Sequence, residues 1–280
     1  MKLNVDHVTA CGSELNSLQK AFAEVGLVTD YGGPHANGVT HMALLGFEDG
    51  SYLELIAPLR PGQAEGSPWG ELMLGGAGPG AWAVETTNIQ ADGARLRSVG
   101  IETSRSEPGS RRRLDGKLLE WQTVSAGPGT PGAMLPFMIQ DYTPREWRVQ
   151  PSTSVKGLGL NGIAAVVLGV NGLDSTAALF RRAYGWDAPL VEDHAEFGAK
   201  VAHFPHTPVM LAAPLAEDSW LASRRTKFGE IPAAFLLKTA DLQQAAKRFQ
   251  LTGEAKWFGG SLAWFDAGKL GRSRLGVMQR

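Results

Sequence analysis

Glu54-Leu55-Ile56-Ala57-Pro58-Leu59 recurs 156 positions later as Met210-Leu211-Ala212-Ala213-Pro214-Leu215. A second pair of strings, Ala81-Trp82-Ala83-Val84-Glu85-Thr86-Thr87-Asn88-Ile89 and Ala234-Phe235-Leu236-Leu237-Lys238-Thr239-Ala240-Asp241-Leu242, lies 153 positions apart. One short match is a weak signal, but two nearly equal offsets in one chain point to a single internal duplication. The surroundings of the first string supply the repeating unit. Leu3-Asn4-Val5-Asp6-His7-Val8 reads as a strand. A helix then opens at Ser13-Glu14-Leu15, with Ser13 as the expected N-cap, apolar Leu15, Leu18, Phe22 and Val25 three or four apart, and Gly26 as its stop. The runs 39–47 and 51–58 read as two strands joined through Glu48-Asp49-Gly50, and one short strand is expected between Gly26 and Val39. The order is βαβββ.

Leu160-Asn161-Gly162-Ile163-Ala164, a helix pattern over 173–183 ended by Gly185, and strand patterns over 199–204 and 209–214 repeat that order. The strings beginning at Ala81 and Ala234 each lead into a further helix pattern, over 89–99 and 242–249. The expected fold class is therefore α+β, with four βαβββ modules paired into two incomplete eight-stranded mixed β-barrels and helices outside. Residues 1–150 and 151–280 are the expected domains, joined through 151–159. Gly75-Gly76-Ala77-Gly78-Pro79-Gly80 does not follow a strand and open a helix, so it reads as a linker between modules rather than a dinucleotide loop.

Composition narrows the function classes. The 280 residues are 43% hydrophobic and 20% charged, with a formal net charge of −1, which excludes charge-driven disorder. Lys+Arg 27 against Asp+Glu 28 leaves no cationic excess to displace counterions from a nucleic acid, so no nucleic-acid partner is expected. The single cysteine, Cys11, excludes an intramolecular disulfide and a cysteine metal cluster. No apolar run reaches the ~18 residues of a membrane span, and Met1-Lys2-Leu3-Asn4-Val5-Asp6 enters the first strand without a signal-peptide core. The expectation is a cytoplasmic protein with a small-molecule substrate, no membrane partner, and room for a homodimer.

The opening strand Leu3 to Val8, the stretch Gly38-Val39-Thr40-His41-Met42-Ala43-Leu44-Leu45-Gly46-Phe47, its continuation Asp49-Gly50-Ser51-Tyr52-Leu53-Glu54-Leu55-Ile56-Ala57-Pro58, and Leu135-Pro136-Phe137-Met138-Ile139 resemble the vicinal oxygen chelate superfamily, and within it the glyoxalase-like domain family. The resemblance implies paired modules around a cleft and a divalent metal ion (Fe, Mn, Zn, Co or Ni) held by ligands from first and last strands. It leaves the reaction open among lyase, isomerase and dioxygenase chemistry, because one fold hosts many reactions.

Strand alternation places His7 on one face of the opening strand and Tyr52 and Glu54 on one face of the fourth. If the hairpin turns tightly through Glu48-Asp49-Gly50, Ala43 lies opposite Glu54, His41 is its diagonal neighbour, and Met42 and Leu44 pack under the helix. Two imidazoles and a carboxylate suit a divalent ion with open positions for a substrate's two oxygens, so the expected metal set is His7, His41 and Glu54. His41 has an equal claim as a hydrogen-bonding support for Glu54 or the substrate. The superfamily's second opening-strand position falls on Ala81, which has no donor, and its terminal-strand position on Gln140, a weaker ligand than a carboxylate. Gln140, Trp121 and Tyr52 are the expected substrate contacts.

In the second half Gly162 and Met210 stand for His7 and Glu54, so a degenerate half without a metal of its own is expected. His203 and His206 flank Pro205 and read as a surface turn. Arg111-Arg112-Arg113, before the turn Leu114-Asp115-Gly116-Lys117, reads as solvated, with a carboxylate or phosphate clamp at the cleft mouth as the functional alternative. Trp82 reads as core, and Cys11 has no sequence-adjacent base to make it a nucleophile. The leading function is a metal-dependent glyoxalase-like enzyme on a small vicinal-oxygen substrate. The alternative is a metal-free small-molecule binding or sequestering protein of the drug-resistance type.

Overall fold

The computed structural model describes residues 2–113, 115–271 and 273–280, so Met1 and Leu114 of the expected turn lie outside the described residues. One module consists of β1 (Val5–Cys11), α1 (Leu15–Glu24), β2 (Asp30–Pro34), β3 (Thr40–Gly46) and β4 (Tyr52–Pro58). After the short α2 (Gly70–Leu74), β5 (Gly78–Glu85), α3 (Ile89–Ser98), β6 (Glu107–Arg112), β7 (Leu118–Val124) and β8 (Phe137–Asp141) form the next, followed by α4 (Arg145–Arg148). The second half runs β9 (Gly162–Gly169), α5 (Leu173–Tyr184), β10 (Leu190–His194), β11 (Ala199–His203) and β12 (Val209–Pro214). It ends with α6 (Trp220–Phe228), β13 (Pro232–Thr239), α7 (Leu242–Phe249), β14 (Thr252–Trp257), β15 (Gly260–Trp264) and β16 (Arg274–Gln279).

Each half is one eight-stranded sheet, ordered β2-β3-β4-β1-β5-β8-β7-β6 and β10-β11-β12-β9-β13-β16-β15-β14, the same order advanced by one half. Both are mixed: β1 runs parallel to β4 and antiparallel to β5, which runs parallel to β8. Each sheet curls into a nearly closed barrel with a seam. In the first, the edge strands β2 and β6 are tied by Arg111, whose guanidinium donates to the carbonyls of Gly32 and Arg148. The tie covers edges that would otherwise offer unpaired backbone groups.

Local sequence accounts for most element ends. Gly26 follows α1 at φ +86, where a glycine costs least, and Gly185 closes α5 at φ 70. The N-cap of α1 is Glu14 rather than Ser13, and no side chain caps it. The glycine-rich linker also ends earlier than expected, since Gly78 and Gly80 already belong to β5.

The β3–β4 hairpin departs from the expected register. Gly46 pairs with Tyr52 across the longer connection 47–51, which sets Leu44 opposite Glu54 and His41 opposite Ala57. A one-residue slip exchanges the two faces of a strand. Met42 and Leu44 therefore line the concave side, while Ala43 and Leu45 join Leu15 and Phe22 in the core beneath α1.

One continuous apolar core runs through both halves, with Leu53, Leu55 and Trp82 from the first and Val166, Phe180 and Phe235 from the second. Trp82 is thus core, as expected, its indole N–H donating to the Met134 carbonyl. The halves are also joined by polar contacts. Asp49 N–H donates to Asn161 O at 3.3 Å, Ile163 N–H to Ser51 Oγ at 3.1 Å, and Arg224 of α6 to the carbonyls of Ala77 and Pro79. The concave side of the second barrel is filled by its own side chains, Met210, Trp257, Leu262 and Met278 among them.

Gly46 marks a close backbone approach. It exchanges bonds with Ser152, and a Cβ there would lie 2.1 Å from the Gln150 carbonyl oxygen. Gly46→Ala should destabilise the protein by about 1–3 kcal/mol, because backbone must move to admit the methyl group. Urea denaturation of the two proteins measures this, and equal midpoints would contradict it.

Candidate functional site

A cavity of about 650 Å³ opens on the concave side of the first barrel. Its polar floor comes from β1 and β4. The β1–β5 ladder shifts register between Val5 and His7, a bulge that places two consecutive side chains, Asp6 and His7, in one polar network. Asp6 is fully buried, and its Oδ1 lies 2.5 Å from His7 Nδ1. Arg148 of α4 grips it with two bonds, Nη1 to Oδ1 at 2.9 Å and Nη2 to Oδ2 at 2.7 Å, and Arg145 pairs with it as well. The same Arg148 holds Asp141 at 2.9 and 2.8 Å and donates to Tyr52 Oη at 2.8 Å.

These contacts decide the protonation states. Burial alone raises the Asp6 pKa, but the Arg148 charge and the bonds from Arg148 and His7 bring it well below the usual carboxylate range. Burial works against the Arg148 charge too, and Tyr52, Asp6 and Asp141 outweigh it. An ionised carboxylate only accepts hydrogen bonds, so His7 Nδ1 carries a proton and, in the neutral ring, Nε2 keeps its lone pair. That nitrogen lies 3.8 Å from Glu54 Oε2, and the ring stacks on Tyr52 with centroids 4.7 Å apart.

Glu54 Oε2 also accepts from Thr9 Oγ1 at 3.2 Å, while Oε1 lies 3.2 Å from His35 Nε2. Burial raises the Glu54 pKa, but the His35 hydrogen bond and charge, the His7 charge and the Thr9 hydroxyl together lower it from 4.5 to about 2. His35 Nδ1 is 2.8 Å from Thr40 Oγ1. Asp6, His7, Glu54, His35 and Thr40 thus form one chain of contacts. Apolar walls surround it, with Met42, Leu44 and Ile56 on one side and Trp69, Trp121, Phe137 and Ile139 on the other. Gly109 makes room for Trp121, since a Cβ there would meet the indole Nε1 at 2.3 Å.

Of the expected site residues, His7, Glu54, Tyr52 and Trp121 all line this cavity. His41 does not. It sits on the opposite face of β3, half-buried, with its ring 6.0 Å from that of Tyr31, because of the hairpin register described above. His35, just after β2, brings the second imidazole to Glu54 instead. Nothing in its loop sequence marked it, since its approach depends on how β2 folds onto β3. Gln140 also lies off the cavity: it alternates with the inward Phe137 and Ile139, and its Oε1 accepts the Ile89 N–H at the start of α3 at 2.9 Å. Arg111 is buried rather than solvated, whereas Arg112 is exposed. Cys11 is buried too, and burial pushes its thiol pKa up, away from nucleophilic use.

α1 and α3 begin 74 positions apart, which places Ala81 at the position of His7 and Ala83 at that of Thr9. Thr9 pairs with Glu54, and Ala83 pairs with Phe137, so Phe137, not Gln140, is the counterpart of Glu54. Two of the four positions therefore carry no donor. Both Glu54 oxygens are engaged by Thr9 and His35, and among the described residues no group of three or more His, Cys, Asp or Glu side chains is arranged to hold a metal ion. The residues present do not make up a metal shell.

In the second barrel, Val167 pairs with Met210 as Thr9 pairs with Glu54, which makes Ala165 the counterpart of His7 and corrects the expectation for Gly162. Gly162 instead lies against Asp49 at the junction of the halves. His203 is buried rather than on a surface turn, and burial with the neighbouring Arg280 lowers its pKa to about 4.

Two outcomes follow from these ion pairs. Asp6→Ala takes from the buried Arg148 guanidinium one of its two carboxylate partners and should cost about 3 kcal/mol in chemical denaturation, whereas a cost below about 1 kcal/mol would contradict the coupling. Glu54 has a depressed pKa, so its ionised form stabilises the fold above pH about 5, and that contribution is lost as pH falls toward about 2. Thermal melts from pH 6 to 2 should show the wild type losing ground to Glu54→Gln across that window, and parallel curves would contradict it.

Comparison with known proteins agrees with this architecture. No curated protein matches the chain in sequence. A hypothetical protein from Staphylococcus aureus superposes with a TM-score of 0.63 at 14% identity, over 100% of both chains. A triple mutant of 4-hydroxymandelate synthase from Streptomyces coelicolor gives 0.61 at 12% identity, over 100% of this chain and 93% of that one. The methylmalonyl-CoA epimerase of Streptomyces coelicolor gives 0.39 at 18% identity, over 43% of this chain and 94% of its own. The likeness to the first two, at 14% and 12% identity, speaks to fold alone, and that to the epimerase carries no argument. The sequence model described as "Glyoxalase-like domain" matches residues 5–184, and the chain belongs to that family.

Proposed function

We propose that the cleft of the first barrel binds a small oxygen-bearing organic molecule and transfers a proton at a carbon beside its carbonyl, chemistry of the isomerase or lyase type. The observation that carries this reading is the buried Asp6–His7–Glu54 alignment at the floor of an apolar-walled cavity. With Nδ1–H fixed on Asp6, His7 Nε2 is the general base. It takes the proton as the C–H bond breaks, and the electron pair moves onto the carbonyl oxygen. The imidazolium formed sits between two carboxylates, Asp6 and Glu54, which favour its charge. Tyr52, kept protonated by burial, supplies an O–H to the oxygen that gains charge. Return of the proton from His7 to carbon or its delivery to a leaving group completes the reaction. No step is routed through a metal.

The test is proton NMR in D2O with a panel of small α-oxo acids, α-hydroxy acids and their thioesters. Exchange of the α-proton of at least one compound is expected, with His7→Ala slowing it at least about 100-fold. Glu54→Gln should slow it less, because Asp6 remains. Exchange at equal rates in wild type and His7→Ala, or none across the panel, overturns the reading. Binding without exchange leaves the sequestering protein. Calorimetric titration with Mn, Co, Ni and Zn decides the metal-dependent alternative: ion-dependent exchange, with ion binding lost in both His7→Ala and Glu54→Gln, would put that alternative in its place.

A further inference from the structure

The charged side chains lining the cavity are Glu54, Glu107, Arg111 and Arg148, beside the imidazoles of His7 and His35. Neither arginine has a nitrogen to offer a ligand. All five N–H groups of Arg148 are taken by Asp6, Asp141 and Tyr52. The terminal nitrogens of Arg111 hold the Gly32 and Arg148 carbonyls, and its Nε is enclosed. The histidines are committed as well, His35 to Glu54 and Thr40 through its two nitrogens, and His7 to Asp6 through Nδ1, which leaves Nε2 as a lone pair in the neutral ring. The carboxylates keep capacity. Glu54 is ionised, and Thr9 and His35 occupy two of its roughly four acceptor positions. Glu107 is exposed at the rim. A carboxylate entering this cleft would leave its hydration shell for a site that holds two like charges and no free cationic donor, whereas an uncharged carbonyl gives up far less on leaving water.

We infer that the cleft selects by charge, taking uncharged carbonyl compounds with an aromatic or branched apolar body and turning away free carboxylic acids, with Glu54 as the residue that sets this preference. The body lies against Trp69, Trp121 and Phe137. These walls are in place before a ligand arrives: the Trp69 indole N–H is fixed on the Pro131 carbonyl at 3.0 Å, and the missing side chain at Gly109 leaves Trp121 its position. The inference rests on the proposed use of the cleft and narrows its substrates to ketones, amides, esters and thioesters. Glu54 thereby has two effects, favouring the imidazolium of His7 and excluding anions from its side.

The experiment is calorimetric titration of the full chain at about pH 7.5, where a carboxylic acid is ionised, with 1-naphthylacetate beside 1-naphthylacetamide and phenylacetate beside phenylacetone. The uncharged member of each pair should bind at least roughly tenfold more tightly than the acid. Glu54→Gln, which removes the charge and keeps the shape, should bring the members of each pair to within about threefold, chiefly by tightening the acid. Acids that bind the wild type as tightly as their uncharged partners, or binding of none of the four, overturn the inference, and this comparison needs no variant. A gap of unchanged size in Glu54→Gln overturns the assignment to Glu54. Failure of the proton-transfer reading looks different. There the preference for uncharged compounds persists while no α-proton exchanges.

Discussion

The buried pairing of Arg148 with Asp6 is the contact on which the first barrel depends. Asp6 comes from the opening strand, Asp141 from the end of the last strand in the second module, Tyr52 from the fourth strand, and one guanidinium joins all three. Ion pairs removed from water are stable only when every lone pair and proton is satisfied, and this one meets that condition with five bonds. It also sets the chemistry: because Arg148 keeps Asp6 ionised, Asp6 must accept from His7, and the imidazole presents its other nitrogen toward Glu54. One helix of four residues, Arg145–Arg148, thereby orients a side chain on a strand almost a domain's length away in sequence.

Within the repeated βαβββ frame the four modules carry different polar groups. The first module keeps a histidine and a carboxylate, while the corresponding places in the second module are Ala81 and Phe137. Neither side chain can ligate, and Phe137 lines the cleft. A second imidazole arrives from outside the pattern, from His35 beyond β2, and bonds to Glu54. The second barrel goes further, with Ala165 and Met210 at the same positions and aromatic side chains filling its concave side. The second barrel shares a continuous core with the first and contributes Arg224 and Asn161 to the joint between them.

Much of this was legible in residue order. The repeated strings around Glu54 and Met210, and around Ala81 and Ala234, carry the duplication, and helix periodicity with Gly26 and Gly185 as stops carries the modules. Strand alternation puts Tyr52 on the face of Glu54, two residues before it, and the family resemblance is what brings His7 and Glu54 together. The failures are equally specific. His41 was placed on the wrong face because a connection over 47–51 differs by one residue of register from a tight turn, and a period of two converts that into a reversal. Gln140 failed through the same parity, as the neighbour of an inward Ile139.

The sequence by itself determined the βαβββ order and the twofold duplication, because strand and helix periods are local properties that each segment carries within it, and it singled out His7 and Glu54 through the family resemblance. Only the tertiary structure decided that His35 completes the polar chain, that Asp6 and Arg148 orient it, and that Arg111 turns inward beside an exposed Arg112. Those assignments depend on a bulge, on a barrel seam and on contacts across up to 142 positions of chain. Such contacts exist only once the sheet has curled, since the burial that makes a carboxylate ionise or leaves a guanidinium unpaired is a property of the closed barrel and of no segment in it.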